Sequence, residues 1–233
     1  MSVPFFYEPS ILLNAAHHTL SEESSKHCVQ VLRMKQGDEL QITNGSGFLG
    51  KAHILEGDKK HTTISVEHIE IVPPAEKKIC LAISLLKNTA RFEWLLEKVT
   101  EMGVTAIHPL ICNRTEHTRF RMERMQGILV SAALQSQQAW LPKLWPPTPF
   151  HEYLTGDSYT QKLIAHCEND EKIFISDLPS FTETSILIGP EGDFTREEIG
   201  AAIAKNYQPV SLGSTRLRTE TAGMLATALL ANR

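Results

Sequence analysis

Residues 186–230 leave this chain few folds to choose from. Two short apolar runs, 185–188 and 209–212, each end in a glycine-bearing loop: Gly189-Pro190-Glu191-Gly192 after the first and Gly213-Ser214 after the second. A compact apolar run cut off by turn residues reads as a buried strand. Between the two, Thr195 and Glu198 form a capping box, and Phe194 with Ile199 forms a hydrophobic staple, so a helix is expected to about Asn206. A last apolar helix is expected to carry Ala222, Leu225, Ala226, Leu229 and Leu230 on one side. Open parallel sheets bind ligands at the carboxyl ends of their strands, so the two loops are expected to border a ligand crevice.

The preceding residues divide into two regions. Residues 1–72 carry turn signals at Gly37-Asp38, Asn44-Gly45 and Glu56-Gly57-Asp58, with strand-like segments at 39–43, 48–55 and 62–71 and one short helix at 21–30. That spacing predicts a small barrel or sandwich. Pro73-Pro74 marks the boundary, because neither residue can donate to a sheet. Beyond it, a strand at 79–86, a helix carrying Phe92, Leu95, Leu96, Val99 and Met102 with Gly103 as its stop, and a strand at 106–111 make a βαβ unit. Residues 145–150 read as a proline-rich loop and 161–166 as a further strand.

Composition excludes more than it selects. No apolar run reaches membrane-spanning length, and the N-terminus lacks a basic secretory start, so a cytoplasmic protein is expected. Four cysteines without a C-x-x-C pair and scattered histidines argue against a disulfide framework and a metal site. A net charge of -4 leans against nucleic acid as a partner. The exception is local: Arg114, His117, Arg119, Arg121 and Arg124 are opposed only by Glu116 and Glu123. This stretch is either a phosphate-tracking surface or a solvated helix start.

GPEGDF followed by LGSTRLRTETA resembles the C-terminal signature of the bacterial 16S ribosomal RNA uridine N3-methyltransferases of the SPOUT superfamily. HCVQVLRMKQGD at 27–38 and KNTARFEWLLEKVTEMGV at 87–104 are similar to that family's N-terminal and helical stretches. The resemblance implies a PUA-like β-barrel RNA-binding domain over 1–72 and a knotted α/β methyltransferase domain over 73–233. It further implies a homodimer, S-adenosylmethionine as cofactor, and methylation of N3 of a uridine in 16S rRNA of the small ribosomal subunit, with no metal. It places Ala165 and His166 in the first cofactor loop. Ile188, Gly189, Pro190, Glu191 and Gly192 fall in the second, and Leu212, Gly213, Ser214, Leu217 and Arg218 in the third. Arg33 and Lys35 then face RNA phosphates, unless they are simply solvated cations. Two departures stand out: Pro4 precedes Phe5-Phe6 where the family commonly has arginine, and 134–138 read LQSQQ in place of E-Q-x-x-R.

The chemistry sets its own demands. Gly189, Gly192 and Gly213 let backbone approach an adenosine with no Cβ in the way, and Leu212 and Leu217 offer the base an apolar surround. Uracil N3 must lose a proton before it can attack a sulfonium methyl. Arg218 is the candidate for a uracil oxygen or nearby phosphate, and Glu220 for orientation or proton acceptance. The alternative is that Arg218 and Glu220 pair with each other and only pin the loop. His166 taken alone reads as a structural histidine. A related RNA methyltransferase with another target nucleotide, or a catalytically silent RNA-binding or ribosome-assembly factor, remains a competing reading.

Overall fold

Turn chemistry spaces the strands of the N-terminal region. In the computed structural model, which describes residues 3–232, the chain forms two compact units. One is built from residues up to Pro74 plus Ala133–Leu141, the other from Ala75–Ala132 and from Pro142 onward.

The first unit contains β1 (Phe5–Tyr7), β2 (His17–Thr19), α1 (Glu22–Lys26), β3 (Glu39–Thr43), β4 (Phe48–Glu56) and β5 (Thr63–Ile71). They make one five-stranded sheet in the order β1-β3-β4-β5-β2, not the two sheets of a sandwich. The β3–β4 hairpin forms because Gly45 and Gly47 supply φ of +73° and +92°, while Asn44 Oδ1 accepts from the N–H groups of Ser46 and Phe48 at 2.8 and 3.2 Å. Leu40, Ile42, Phe48, Ala52, Ile54 and Ile64 form the core beneath it. The helix expected over 21–30 is capped by Ser21 but changes character: α1 is followed by a π-helical turn over His27–Val31. Residues Ala133–Leu141 join this unit through Trp140, whose indole N–H donates to the Val72 carbonyl at 2.9 Å.

The second unit begins with β6 (Lys78–Ser84), α2 (Thr89–Glu101) and β7 (Ala106–Ile111), the expected βαβ unit. It continues with α3 (Met122–Gln135, of which the residues from Ala133 belong to the first unit), β8 (Lys143–Leu144), β9 (Thr148–Pro149) and α4 (Phe150–Gly156), a helix where only a proline-rich loop was expected at its start. Then follow β10 (Gln161–Ala165), β11 (Ile173–Phe174), β12 (Glu183–Ile188), α5 (Arg196–Ala204), β13 (Gln208–Ser211) and α6 (Thr219–Ala231). The strands form a parallel sheet in the order β11-β13-β10-β12-β6-β7-β8, with β9 also on β7.

Both faces are covered, as a parallel sheet requires. Alternate residues of β6 enter different cores: Ile79, Leu81 and Ile83 join Leu95, Val99 and Ala226, whereas Cys80 and Ala82 join Phe150, Phe194 and Ile199. The inward face of α6 matches expectation only in part. Gly223, Ala226, Thr227 and Leu230 are buried, while Ala222, Leu225 and Leu229 are only partly so. The reason is a close approach, since a Cβ on Gly223 would lie 2.7 Å from Ile83 Cδ1. Thr227 is accommodated because its hydroxyl donates to the Gly223 carbonyl at 2.9 Å.

Candidate active site

Three adjacent strands end level with one another. Ala165 at the end of β10 is in register with Ile188 of β12 on one side and Val210 of β13 on the other. Their loops enclose a crevice of about 870 Å³, closed on a further side by the first turn of α6 and by Arg91 of α2. Of the residues predicted for a cofactor, Ala165, His166, Ile188, Gly189, Pro190, Glu191, Leu212, Gly213, Ser214, Leu217 and Arg218 all line it. Gly192 stands apart from the lining. Its carbonyl accepts from Arg114 Nη1 at 2.6 Å, and an added Cβ would sit 3.3 Å from Arg114 Cδ.

The loops are fastened to one another. The Cys167 N–H donates to Asp193 Oδ2 at 2.7 Å, and the Lys87 N–H donates to Glu191 Oε1 at 3.1 Å. Lys172 gathers the first loop by donating to the carbonyls of His166 and Glu168, both at 2.6 Å. The capping box forms as expected: Thr195 N–H donates to Glu198 Oε2 at 2.8 Å, and Glu198 N–H donates to Thr195 Oγ1 at 3.2 Å. Gly213 adopts φ +145°, a conformation that favours glycine, with open space where a side chain would begin.

Two polar groups in the crevice lack partners among the described residues. Both ring nitrogens of His166, which is 8% exposed, are buried and unbonded, as is Glu220 Oε2. Burial and then the neighbouring Lys172 ammonium hold the His166 pKa below the ordinary imidazole value, so the ring is neutral at neutral pH. A neutral ring has one donor and one acceptor to offer. Glu220 lies in the first turn of α6, and its Oε1 is 3.6 Å from Arg91 Nη1. Glu220 is therefore paired with Arg91 and not with Arg218, which occupies the N-cap position of α6 on the crevice wall. Arg91 was missed in the sequence, although it stands inside the KNTARFEW stretch.

The cationic stretch splits. Arg114, though exposed, is engaged by the Gly192 carbonyl, with a second contact to the Phe194 carbonyl at 3.4 Å, and Arg124 is paired with Glu93 at 2.5 and 2.8 Å. Arg119 and Arg121 are exposed on the segment before α3, where no ion pair among the described residues holds them. Arg33, with φ +56°, and Lys35 are likewise exposed in the first unit. No group of three or more His, Cys, Asp or Glu able to hold a metal occurs among the described residues.

A parallel α/β sheet whose ligand crevice spans three strand-end loops, with unpartnered polar groups inside it, defines an α/β protein built to hold a nucleotide-sized ligand. The family model described as an RNA methyltransferase domain matches residues 73–231, and that of an RNA methyltransferase PUA domain matches 20–67. The chain belongs to this RNA methyltransferase family, with a PUA-like N-terminal part. It is 32% identical over 220 residues to Ribosomal RNA small subunit methyltransferase E of Synechocystis, covering 90% of this chain and 71% of that protein. Among solved structures it is similar to Ribosomal RNA small subunit methyltransferase E from Neisseria gonorrhoeae bound to S-adenosyl methionine. That match has a TM-score of 0.90 and 28% identity over 99% of this chain and 98% of the other. It is also similar to a structure from Porphyromonas gingivalis assigned as an rRNA methyltransferase, with a TM-score of 0.89 and 35% identity over 97% and 95% of the two chains.

Proposed function

We propose that this protein transfers a methyl group from S-adenosylmethionine to N3 of a uridine in 16S rRNA of the small ribosomal subunit. One observation carries the reading: the crevice over β10, β12 and β13 is walled by the loops that hold both signature motifs. The site fits the cofactor. A neutral His166 with two unsatisfied nitrogens, the apolar Ile188, Leu212 and Leu217, and the backbone of Gly189 and Gly213 are complementary to an adenosine. These residues with Ala165, Pro190, Glu191, Ser214 and Arg218 hold it, and Gly192 shapes the second loop from behind. The cofactor, when bound, supplies an electrophilic methyl on a sulfonium.

The chain's own residues manage the uracil. Glu220, whose Oε2 is unpartnered, orients the base or accepts the N3 proton, and Arg91 fixes its carboxylate. Arg218 on the crevice wall meets a uracil oxygen or a neighbouring phosphate and stabilises the charge that develops as the proton leaves. Arg119 and Arg121, with Arg33 and Lys35, meet the RNA backbone.

The reading extends to the architecture: a PUA-like RNA-binding domain over 1–72, to which Ala133–Leu141 are added, a methyltransferase domain over the rest of 73–233 with a trefoil knot, and a homodimer working in the cytoplasm. The chain path favours the knot. β12 is inserted between β6 and β10, β13 lies beyond β10, and α6 nevertheless packs back onto β6 and α2. The segment after β13 must therefore cross the ends of β10 and β12, past the loop that follows β10. No helix among the described residues is long and apolar enough to cross a membrane.

The test is calorimetric titration with S-adenosylmethionine, followed by methyl transfer to undermethylated small subunits and mass spectrometry of the product nucleoside. N3-methyluridine is the expected product. Another methylated nucleoside would move the target, and cofactor binding without any transfer would favour an assembly factor.

A further inference from the structure

We propose that Arg114 is a positioning residue that couples the cofactor loop to the RNA-facing cationic segment; the inference rests on the methyltransferase reading above. Its guanidinium is spent on the backbone of the second cofactor loop, on the Gly192 carbonyl at 2.6 Å and the Phe194 carbonyl at 3.4 Å. Gly192 does not touch the crevice, but its neighbours Glu191 and Asp193 do. Arg114 therefore acts on the ligand only through the loop it holds.

The neighbours of Arg114 are fixed to the same structure. The Asn113 N–H donates at 2.7 Å to Oε1 of Glu198, the buried carboxylate that also caps α5. The Thr115 hydroxyl is 2.9 Å from that of Ser84 at the end of β6. Lys87 pairs with Glu116 at 2.6 Å while its N–H donates to Glu191 at 3.1 Å. Residues 113–116 are thus anchored one after another to the cofactor loop and its surroundings. Three residues beyond this anchored run comes Arg119, and then Arg121, both exposed. A pull on this segment by phosphates reaches Gly192 through Arg114, and ordering of the cofactor loop by its ligand returns along the same path. Such coupling is reciprocal: each ligand raises affinity for the other by the same factor.

The experiment measures S-adenosylmethionine affinity without RNA for the wild type, Arg114→Ala, Arg114→Lys and Arg119→Ala. It adds melting temperatures and the salt dependence of small-subunit binding. Loss of a charge-assisted bond to the loop is expected to weaken the cofactor about tenfold in Arg114→Ala, with Arg114→Lys in between. The salt slope of Arg114→Ala stays at the wild-type value. Arg119→Ala leaves cofactor affinity unchanged and lowers the salt slope by about one. The gain in subunit affinity on adding cofactor shrinks in Arg114→Ala. A folded Arg114→Ala protein with wild-type cofactor affinity and a reduced salt slope overturns the proposal and makes Arg114 a phosphate contact. If the alanine variant does not fold, the lysine variant decides on the same measures. A wild type that fails to bind S-adenosylmethionine overturns the functional reading itself, and this inference with it.

Discussion

The Cys167 N–H donates to Oδ2 of Asp193 at 2.7 Å, so the loop after β10 hangs from the loop after β12. Asp193 does this while its Oδ1 accepts from the Phe194 N–H at 2.8 Å and its backbone sits at φ +64°. Asparagine and aspartate tolerate that conformation better than other residues with a Cβ. One side chain therefore sets both the shape of its own loop and the position of its neighbour.

Asp193→Ala removes both bonds and leaves a Cβ in left-handed backbone without a local partner. A stability loss of about 1–2 kcal/mol is expected from urea unfolding. Cofactor affinity is expected to fall about tenfold, because the first loop loses its anchor and the binding-competent arrangement becomes less populated. Asp193→Asn keeps the conformational tolerance and one acceptor, so it should recover most of the stability. An Asp193→Ala protein with unchanged cofactor affinity would show that the two loops are held by other means.

Arg91 and Glu220 give the second prediction. The Glu220 side chain is 8% exposed, and the Arg91 guanidinium at 3.6 Å is its only ion pair among the described residues. Arg91→Met leaves the carboxylate buried and unneutralised. Methyl transfer in a single turnover is expected to slow about 10²-fold, with cofactor affinity changed less than about threefold. Glu220→Gln should show the same separation of rate from binding. Equal losses in both measurements would mean that the pair shapes the crevice and takes no part in the chemistry.

The elements that were legible in the sequence are those written in local chemistry. Thr195 and Glu198 announce the start of α5 whatever surrounds them, and Asn44-Gly45 announces the β3–β4 turn. The apolar run of β6 and the helical spacing of Phe92, Leu95, Leu96 and Val99 are equally local. What escaped depends on distant partners. Arg91 matters because α2 packs beside α6, which brings it to Glu220 from far away in the chain. Gly192 read as room for a ligand, yet the group that fills that room is Arg114. The inward stripe of α6 was legible in part: Ala226 and Leu230 lie in the core and Ala222 and Leu229 pack against it, but a small residue, Gly223, and a hydroxyl, Thr227, face the sheet where apolar spacing favoured Leu225. α4 was hidden behind the prolines that precede it.

His108 supplies a prediction about acid stability. It is stacked on Trp145 with ring centroids 5.5 Å apart, meets Tyr153 edge-on at 4.5 Å, and hydrogen-bonds Thr148 through Nε2 at 2.9 Å. Burial pushes its pKa down from 6.5 to about 4, with Asp157 opposing the shift. The folded state therefore binds fewer protons than the unfolded state. The resulting stability is complete above 6.5 and is lost as pH falls towards about 4. With allowance for partial access of water, the loss is about 1–2 kcal/mol. Urea unfolding at about pH 7 and about pH 4.5 should show a smaller difference in His108→Phe than in the wild type. An identical difference would place the acid sensitivity in other groups.

The last prediction concerns α6 and the proposed homodimer. One face of this helix is spent on the sheet through Gly223, Ala226, Thr227 and Leu230. Met224, Leu225, Ala228 and Leu229 are only half-buried on a helix that carries no lysine, arginine or aspartate. Neighbouring α2 adds Trp94, which is 42% exposed. A second copy meeting the first about a two-fold axis would cover such a surface with itself. The opening turn of the same helix carries Glu220, with Arg218 at its cap, so a partner seated on α6 would also border the uracil site. Met224→Glu places a charge on the half-buried face, at a side chain that packs against the edge of the core but is not one of the buried inward residues. Sedimentation should then show monomers that melt within a few degrees of the wild type, and methyl transfer should fall about 10²-fold, since orientation of the uracil would be lost with the partner. Cofactor affinity should fall far less, because the crevice is walled by loops of a single chain. A monomeric, folded Met224→Glu protein with full activity would separate association from catalysis and leave each chain a complete enzyme.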